Sequence, residues 1–207
     1  ERLADRVGAL PGVRTVGAVM GLPLSGLRFN ISFKVHGRPE AAPGQEPTME
    51  VRVATPDYFR TLGVPLERGR FFTDADTADS PQVAILSAAA ARKFFPNEDP
   101  IGKRIEMGWG RREADKRAGG EVIGIVGDVK ELGLDEEFPA EIYLPLRQWP
   151  VARMTLVART AVAPMSLAGE VTQAVQELDA NLPVNDIRTV EDVVAESIAQ
   201  PRFYMLL

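Results

Sequence analysis

Met49-Glu50-Val51-Arg52-Val53-Ala54-Thr55-Pro56-Asp57-Tyr58-Phe59-Arg60-Thr61-Leu62-Gly63 changes its hydrophobic period part-way along. Met49, Val51 and Val53 alternate with Glu50 and Arg52, which is the period of a strand. A short helix follows at once. Thr55 suits its cap, Pro56 its first position, and Gly63 its left-handed stop. Tyr58, Phe59 and Leu62 form the side of that helix that seeks a core.

Working back from this stretch, Leu3, Val7 and Leu10 share one helical face that Pro11-Gly12 ends. Val13 to Met20 reads as a strand, and Gly21 to Phe29 as a loop. Ile31, Phe33 and Val35 alternate with Ser32 and Lys34, a half-buried strand. Gly37 to Pro47, with three prolines, is an exposed turn or loop.

Working forward, Val83 to Leu86 is a short buried strand. Ser87 caps a helix whose face is Ala90, Ala91, Phe94 and Phe95, ended by Pro96. From Asn97 to Pro150 glycine and charge are frequent and no long helical period appears. Ile101 to Met107, Val122 to Val129 and Ile142 to Leu144 predict strands, together a small β-rich subdomain. Met154 to Arg159 is a strand. Leu167, Val171, Ala174, Val175 and Leu178 form a helical stripe. Val184 to Arg188 predicts a further strand. Thr189 and Asp192 resemble a capping box that opens a last helix. Leu10-Pro11-Gly12-Val13 and Leu182-Pro183-Val184 echo one another, which is compatible with two related β-α-β halves.

Composition excludes several chemistries. The 207 residues are 45% hydrophobic and 26% charged, enough to build a core. The net charge of −5 has the wrong sign for a general nucleic-acid footprint. With no cysteine there is no disulfide, thiolate metal site or cysteine nucleophile, and a single histidine, His36, leaves no material for His-rich sites.

The remaining constellations carry little chemistry. Asp74, Asp76 and Asp79 lack the spacing and central glycine of a calcium loop. Gly124-Ile125-Val126-Gly127-Asp128 lacks the third glycine of a dinucleotide loop, and no segment matches a P-loop. Lys103, Arg104, Arg111, Arg112, Lys116 and Arg117 are diluted by Glu106, Glu113 and Asp115, and read as a solvated loop. Asn30-Ile31-Ser32 fits a glycosylation triplet of the kind that chance produces often. The chain stops at Pro201-Arg202-Phe203-Tyr204-Met205-Leu206-Leu207. A tail that turns apolar and halts is either the cut end of a longer chain or a helix docking on the core. The residues alone leave both open.

Taken in order, several segments resemble one family. They are Val53 to Leu66, Arg68-Gly69-Arg70-Phe71-Phe72, Val83-Ala84-Ile85-Leu86-Ser87, and Ala91-Arg92-Lys93-Phe94-Phe95-Pro96. Asp99-Pro100-Ile101-Gly102-Lys103-Arg104-Ile105 and Val122 to Lys130 follow. The set resembles the periplasmic core domain of MacB-like and FtsX-like ABC transporter permeases. The ending Ala199-Gln200-Pro201-Arg202-Phe203 is most similar to the acidobacterial-type subgroup of duplicated permeases.

The resemblance implies an α+β fold: a porter-like pair of β-α-β subdomains with an inserted small β-rich subdomain. On that plan residues 1–96 and 151–200 supply the porter-like part, 97–150 the insert, and 201–207 the start of a membrane-entering helix. Phe203, Tyr204, Met205, Leu206 and Leu207 then form the membrane junction. The implied function is non-catalytic: an extracytoplasmic domain of an inner-membrane protein that transmits ATP-driven motion. It implies no cofactor and no metal. The implied partners are the chain's own transmembrane helices, a separate ATPase domain or subunit, a periplasmic adaptor or lipoprotein, and a second copy in a dimer. Two rivals stand beside it. A receptor's sensor domain requires a pocket between two halves. A carboxylate hydrolase requires acidic groups converging in a cleft.

Overall fold

The computed structural model describes residues 2–24, 28–110, 117–129, 138–180, 184 and 186–204. Among these residues nine strands pair into one mixed sheet: β1 (Val13–Val19), β2 (Asn30–Val35), β3 (Thr48–Ala54), β4 (Leu66–Gly69), β5 (Val83–Ser87), β6 (Arg104–Gly110), β7 (Arg117–Val126), β8 (Glu141–Pro145) and β9 (Thr155–Thr160). The helices are α1 (Arg2–Gly8), α2 (Tyr58–Leu62), α3 (Ala88–Phe94), α4 (Ala168–Gln176) and α5 (Val190–Tyr204). The fold is α+β, as expected.

The sheet closes on itself. β2 pairs with β6, β6 with β7, β7 with β5, β5 with β8, β8 with β3, and β3 again with β2. Closure satisfies backbone groups that an open edge would expose. One apolar cluster draws on all six strands, through Phe33, Met49, Val51, Leu86, Ile105, Val122 and Ile142 among others. Strands before residue 97 (β2, β3, β5) and after it (β6, β7, β8) share this ring.

The alternating side chains of β3, β5 and β8 face a second cluster. It holds Tyr58 and Phe59 from α2, Phe72, Ile85, Tyr143 and Val157. Phe59 stacks on Phe71 with ring centroids 5.5 Å apart and meets Tyr143 edge-on at 4.9 Å. β1 and β9 form an antiparallel ribbon running off β3, with α1 packed on β1 and joined to α4.

Several sequence expectations shift. Thr55 does not cap α2. Its hydroxyl accepts from Ala18 N–H at 2.8 Å and so ties β1 to the end of β3. Asp57 takes the cap position, its carboxylate accepting from Arg60 rather than from a helix N–H, while Gly63 does adopt the left-handed stop at φ 78°. β6 starts at Arg104 because Pro100–Lys103 forms a turn. β7 reaches back to Arg117 through Gly119 and Gly120, whose φ angles are 128° and 149°. A Cβ on Gly119 would stand 2.2 Å from Ile105 O, and one on Gly120 2.4 Å from Gln82 C. The sequence reading starts this strand at Val122 and leaves these glycines outside it, yet they let β7 squeeze between its neighbours. Val184 and Asp186–Arg188 form no strand, because Asp186 turns the backbone to φ 62°. The capping box at α5 does form: Thr189 Oγ1 accepts from Asp192 N–H and donates to its carboxylate.

Gly17 lies beneath α2, where a Cβ would stand 2.5 Å from Tyr58 Cα. Gly17→Ala is expected to cost about 1–3 kcal/mol through overpacking against backbone. Gly169, in α4 with nothing within 4 Å of an added Cβ, gives the opposite sign. Gly169→Ala is expected to stabilise by about 0.5–1 kcal/mol. Urea unfolding of the two variants, run side by side, checks both signs.

Candidate functional site

The sequence pattern gives β3 one apolar and one polar face, yet Glu50 and Arg52 on the polar face are buried. The parallel register with β8 places Glu141 beside Glu50 and Tyr143 beside Arg52. Arg52 Nε donates to Glu141 Oε1 at 3.0 Å, and an Arg52 terminal nitrogen donates to Glu50 Oε2 at 3.2 Å. Tyr143 OH donates to Glu141 Oε2 at 2.7 Å. Arg28, half-exposed, donates to Glu50 Oε1 at 2.8 Å. Charges enter an interior only when paired and hydrogen-bonded, and this cluster meets that condition.

Sequence reasoning missed this cluster. Glu50 and Arg52 lie two apart on a strand and so share a face, which is a local signal. Glu141 stands 89 residues from Arg52, and only the β3–β8 register brings them together.

The acidic loop does not converge on a cleft. Asp76 takes a bidentate bond from Arg70 at 2.8 Å for both oxygens, and accepts the Thr73 N–H at 2.7 Å. Burial disfavours ionised Asp76, but the Arg70 bond, the Thr73 bonds and the Arg70 charge together hold its carboxyl below the ordinary value. Asp74 pairs with Arg147, and Asp79 is exposed. Among the described residues no group of three or more His, Cys, Asp or Glu could hold a metal ion.

The other sequence candidates serve the fold. A Cβ on Gly124 would stand 2.4 Å from Arg70 O, so β4 packs closely on β7 there. Asp128 receives the Ala89 N–H and a bond from Arg92, both at 2.6 Å, and thus steadies the start of α3. Lys103 pairs with Glu98 and Arg104 donates to Gln82. Arg111, Arg112, Glu113, Asp115, Lys116 and Lys130 lie outside the described residues. His36 is exposed. Phe203 and Tyr204 fall in the last turn of α5, while Met205, Leu206 and Leu207 lie outside the described residues. Among the described residues no helix is long and apolar enough to cross a membrane.

This arrangement is a built interior in which the buried charges pair with one another and with Tyr143. The sequence profile of the MacB-like periplasmic core domain matches residues 2–179. The chain belongs to this family. It is therefore a non-catalytic, extracytoplasmic part of an ABC transporter permease.

A segment of 76 residues is 37% identical to the macrolide export ATP-binding/permease protein MacB of Aggregatibacter actinomycetemcomitans, covering 37% of this chain and 10% of that protein. A segment of 48 residues is 38% identical to the protein of that name from Mannheimia succiniciproducens, covering 23% and 8%. The matched parts thus span a tenth or less of these curated relatives.

Solved structures share the fold. The periplasmic region of MacB from Actinobacillus actinomycetemcomitans gives a TM-score of 0.59 at 18% identity, over 85% of this chain and 72% of that one. The extracellular domain of the noncanonic ABC-type transporter YknZ from Gram-positive bacteria gives 0.57 at 19%, over 87% and 82%. A domain of a putative permease from Porphyromonas gingivalis gives 0.53 at 16%, over 90% and 83%.

Two measurements test the energetics of this MacB-like domain. Arg52→Met leaves Glu50 and Glu141 without the guanidinium between them, and is expected to lose about 3–5 kcal/mol in urea unfolding. Arg52→Lys recovers part of that, since an ammonium lacks the fork that serves both carboxylates. The second concerns pH. Asp76 has a lowered folded-state pKa, so its contribution is present above the unfolded value and fades as pH falls below about 4. Asp76→Asn is expected to flatten that part of the acid-stability curve while lowering stability at pH 7.

Proposed function

We propose that this domain transmits ATP-driven motion from the membrane to a substrate or a partner protein, as part of a permease of the cell (inner) membrane. The family match over residues 2–179 carries the reading. In that reading the ATPase is a separate domain or subunit, and the chain's own transmembrane helices flank the domain. Phe203 to Leu207 open the next membrane-entering helix. A second copy completes a dimer, and a periplasmic adaptor or lipoprotein is the external contact.

The layout supports a two-part device. β1, β9, α1 and α4 come from the 1–96 and 151–200 segments, and supply the porter-like part. The ring supplies the β-rich part, taking β6, β7 and β8 from 97–150 and three more strands from before it. Arg6 on α1 pairs with Glu177 just after α4 at 3.1 Å, an exposed link between the 1–96 and 151–200 segments. Force entering through α1 reaches β1 and β9 first, and the ring through β3.

The absence of cysteine makes the test clean, because introduced thiols are the only labelling sites in this segment. Gln45, in the exposed loop between β2 and β3, and Ala195, exposed on α5, accept spin labels as Gln45→Cys and Ala195→Cys. In the full-length permease with its ATPase, the label-to-label distance distribution is expected to shift between nucleotide-free and ATP-trapped states. An unchanged distribution in a transporter that hydrolyses ATP normally would remove the transmission reading.

A further inference from the structure

The connection between β1 and β2 leaves β3 and returns to it. Met20 N–H donates to Val53 O at 2.8 Å, and Val51 N–H donates to Phe29 O at 2.9 Å. Both ends of this excursion are therefore bound to β3, two residues apart. The second end continues the seam that closes the ring. Asn30, Ile31 and Ser32 pair with Glu50, Met49 and Thr48, and Phe33 N–H donates to Pro47 O at 2.9 Å. Arg28 stands next to Phe29 at the entrance of this seam.

Arg28 reaches back from that point. Its Nε donates at 2.8 Å to Glu50 Oε1, while the other oxygen of Glu50 is held by Arg52 at 3.2 Å. The two partners differ sharply in environment: the Arg28 side chain is 52% exposed and that of Glu50 only 3%. An ordinary surface pair is screened by water on both sides and holds little. Here one member is desolvated, so releasing Arg28 withdraws a donor and a positive charge from a buried carboxylate oxygen.

We infer that Arg28 is an electrostatic latch on the closing seam of the ring. It holds the entrance of β2 onto β3 through the buried end of the Glu50–Arg52–Glu141 cluster. The seam is then a distinct, locally releasable part of the ring, governed by one accessible side chain. This inference rests on the geometry of the domain and not on the transmission reading.

Hydrogen exchange of single amides tests it on this 207-residue chain. The Val51 amide reports the seam, since its partner is Phe29 O, and the Leu146 amide reports the interior, since its partner is Ala54 O. In Arg28→Ala the Val51 amide is expected to exchange about tenfold faster or more, with Leu146 changed less than about twofold. Arg28→Lys, which keeps the charge, restores most of the protection. In a Glu50→Gln background the Arg28→Ala change adds less than about twofold, because the charge it neutralised is gone. An unchanged Val51 amide in Arg28→Ala overturns the latch. So does equal loss at Val51 and Leu146, which marks general destabilisation, or an undiminished effect in the Glu50→Gln background.

Discussion

Arg52 is the charge around which both layers of the domain are assembled. It sits on a strand buried on both faces, so the ring packs against Val51 and Val53 while the guanidinium occupies the opposite side with Glu50, Glu141 and Tyr143. Burying such a cluster costs desolvation, and hydrophobic replacements of equal volume often fold as well or better. What the cluster adds is register. Sliding β8 along β3 by one residue would point Glu141 and Tyr143 into the apolar ring. The ionic contacts penalise that slip far more than packing alone.

The layers also share aromatic contacts. Tyr143 follows Glu141 on the same face of β8, donates its hydroxyl to that carboxylate, and turns its ring to Phe59 of α2. One side chain thus joins the polar cluster to the apolar cluster beneath α2. Thr55 repeats the idea at smaller scale by spending its hydroxyl on the backbone of β1 instead of capping the helix. In both cases a polar group joins neighbouring strands where its local sequence suggests a nearer partner.

How far the sequence could be read follows from the range of each interaction. Short-range signals were reliable: the strands around Ile31, Met49 and Val83, the Ser87 cap, the Gly63 stop and the Thr189–Asp192 box depend on residues a few positions apart. Long-range ones were not legible. Ala118-Gly119-Gly120 lies outside the strand expected from Val122 onward until the strands on either side of β7 supply the reason for its glycines. The polar residues of β3 look like a water-facing row until Glu141 arrives. The β-rich character after Asn97 was visible, but not that half of its ring comes from earlier strands. Of the family membership, the ordered motifs carried the resemblance, while the buried cluster left only the local trace of Glu50 and Arg52 sharing a strand face.

The ring has a consequence for biosynthesis. β3 is made long before β8, and their parallel pairing joins residues as far apart as Arg52 and Glu141, 89 positions along the chain. Until residues near Glu141 have emerged, a nascent chain holds Glu50 and Arg52 with no place in a finished interior. Non-local parallel pairing is slow to form, and half-made sheets tend to aggregate. The β2–β3 pairing can form early, but the ring cannot close before β8 is made. The order of translation therefore leaves the first half of the domain dependent on protection during that wait.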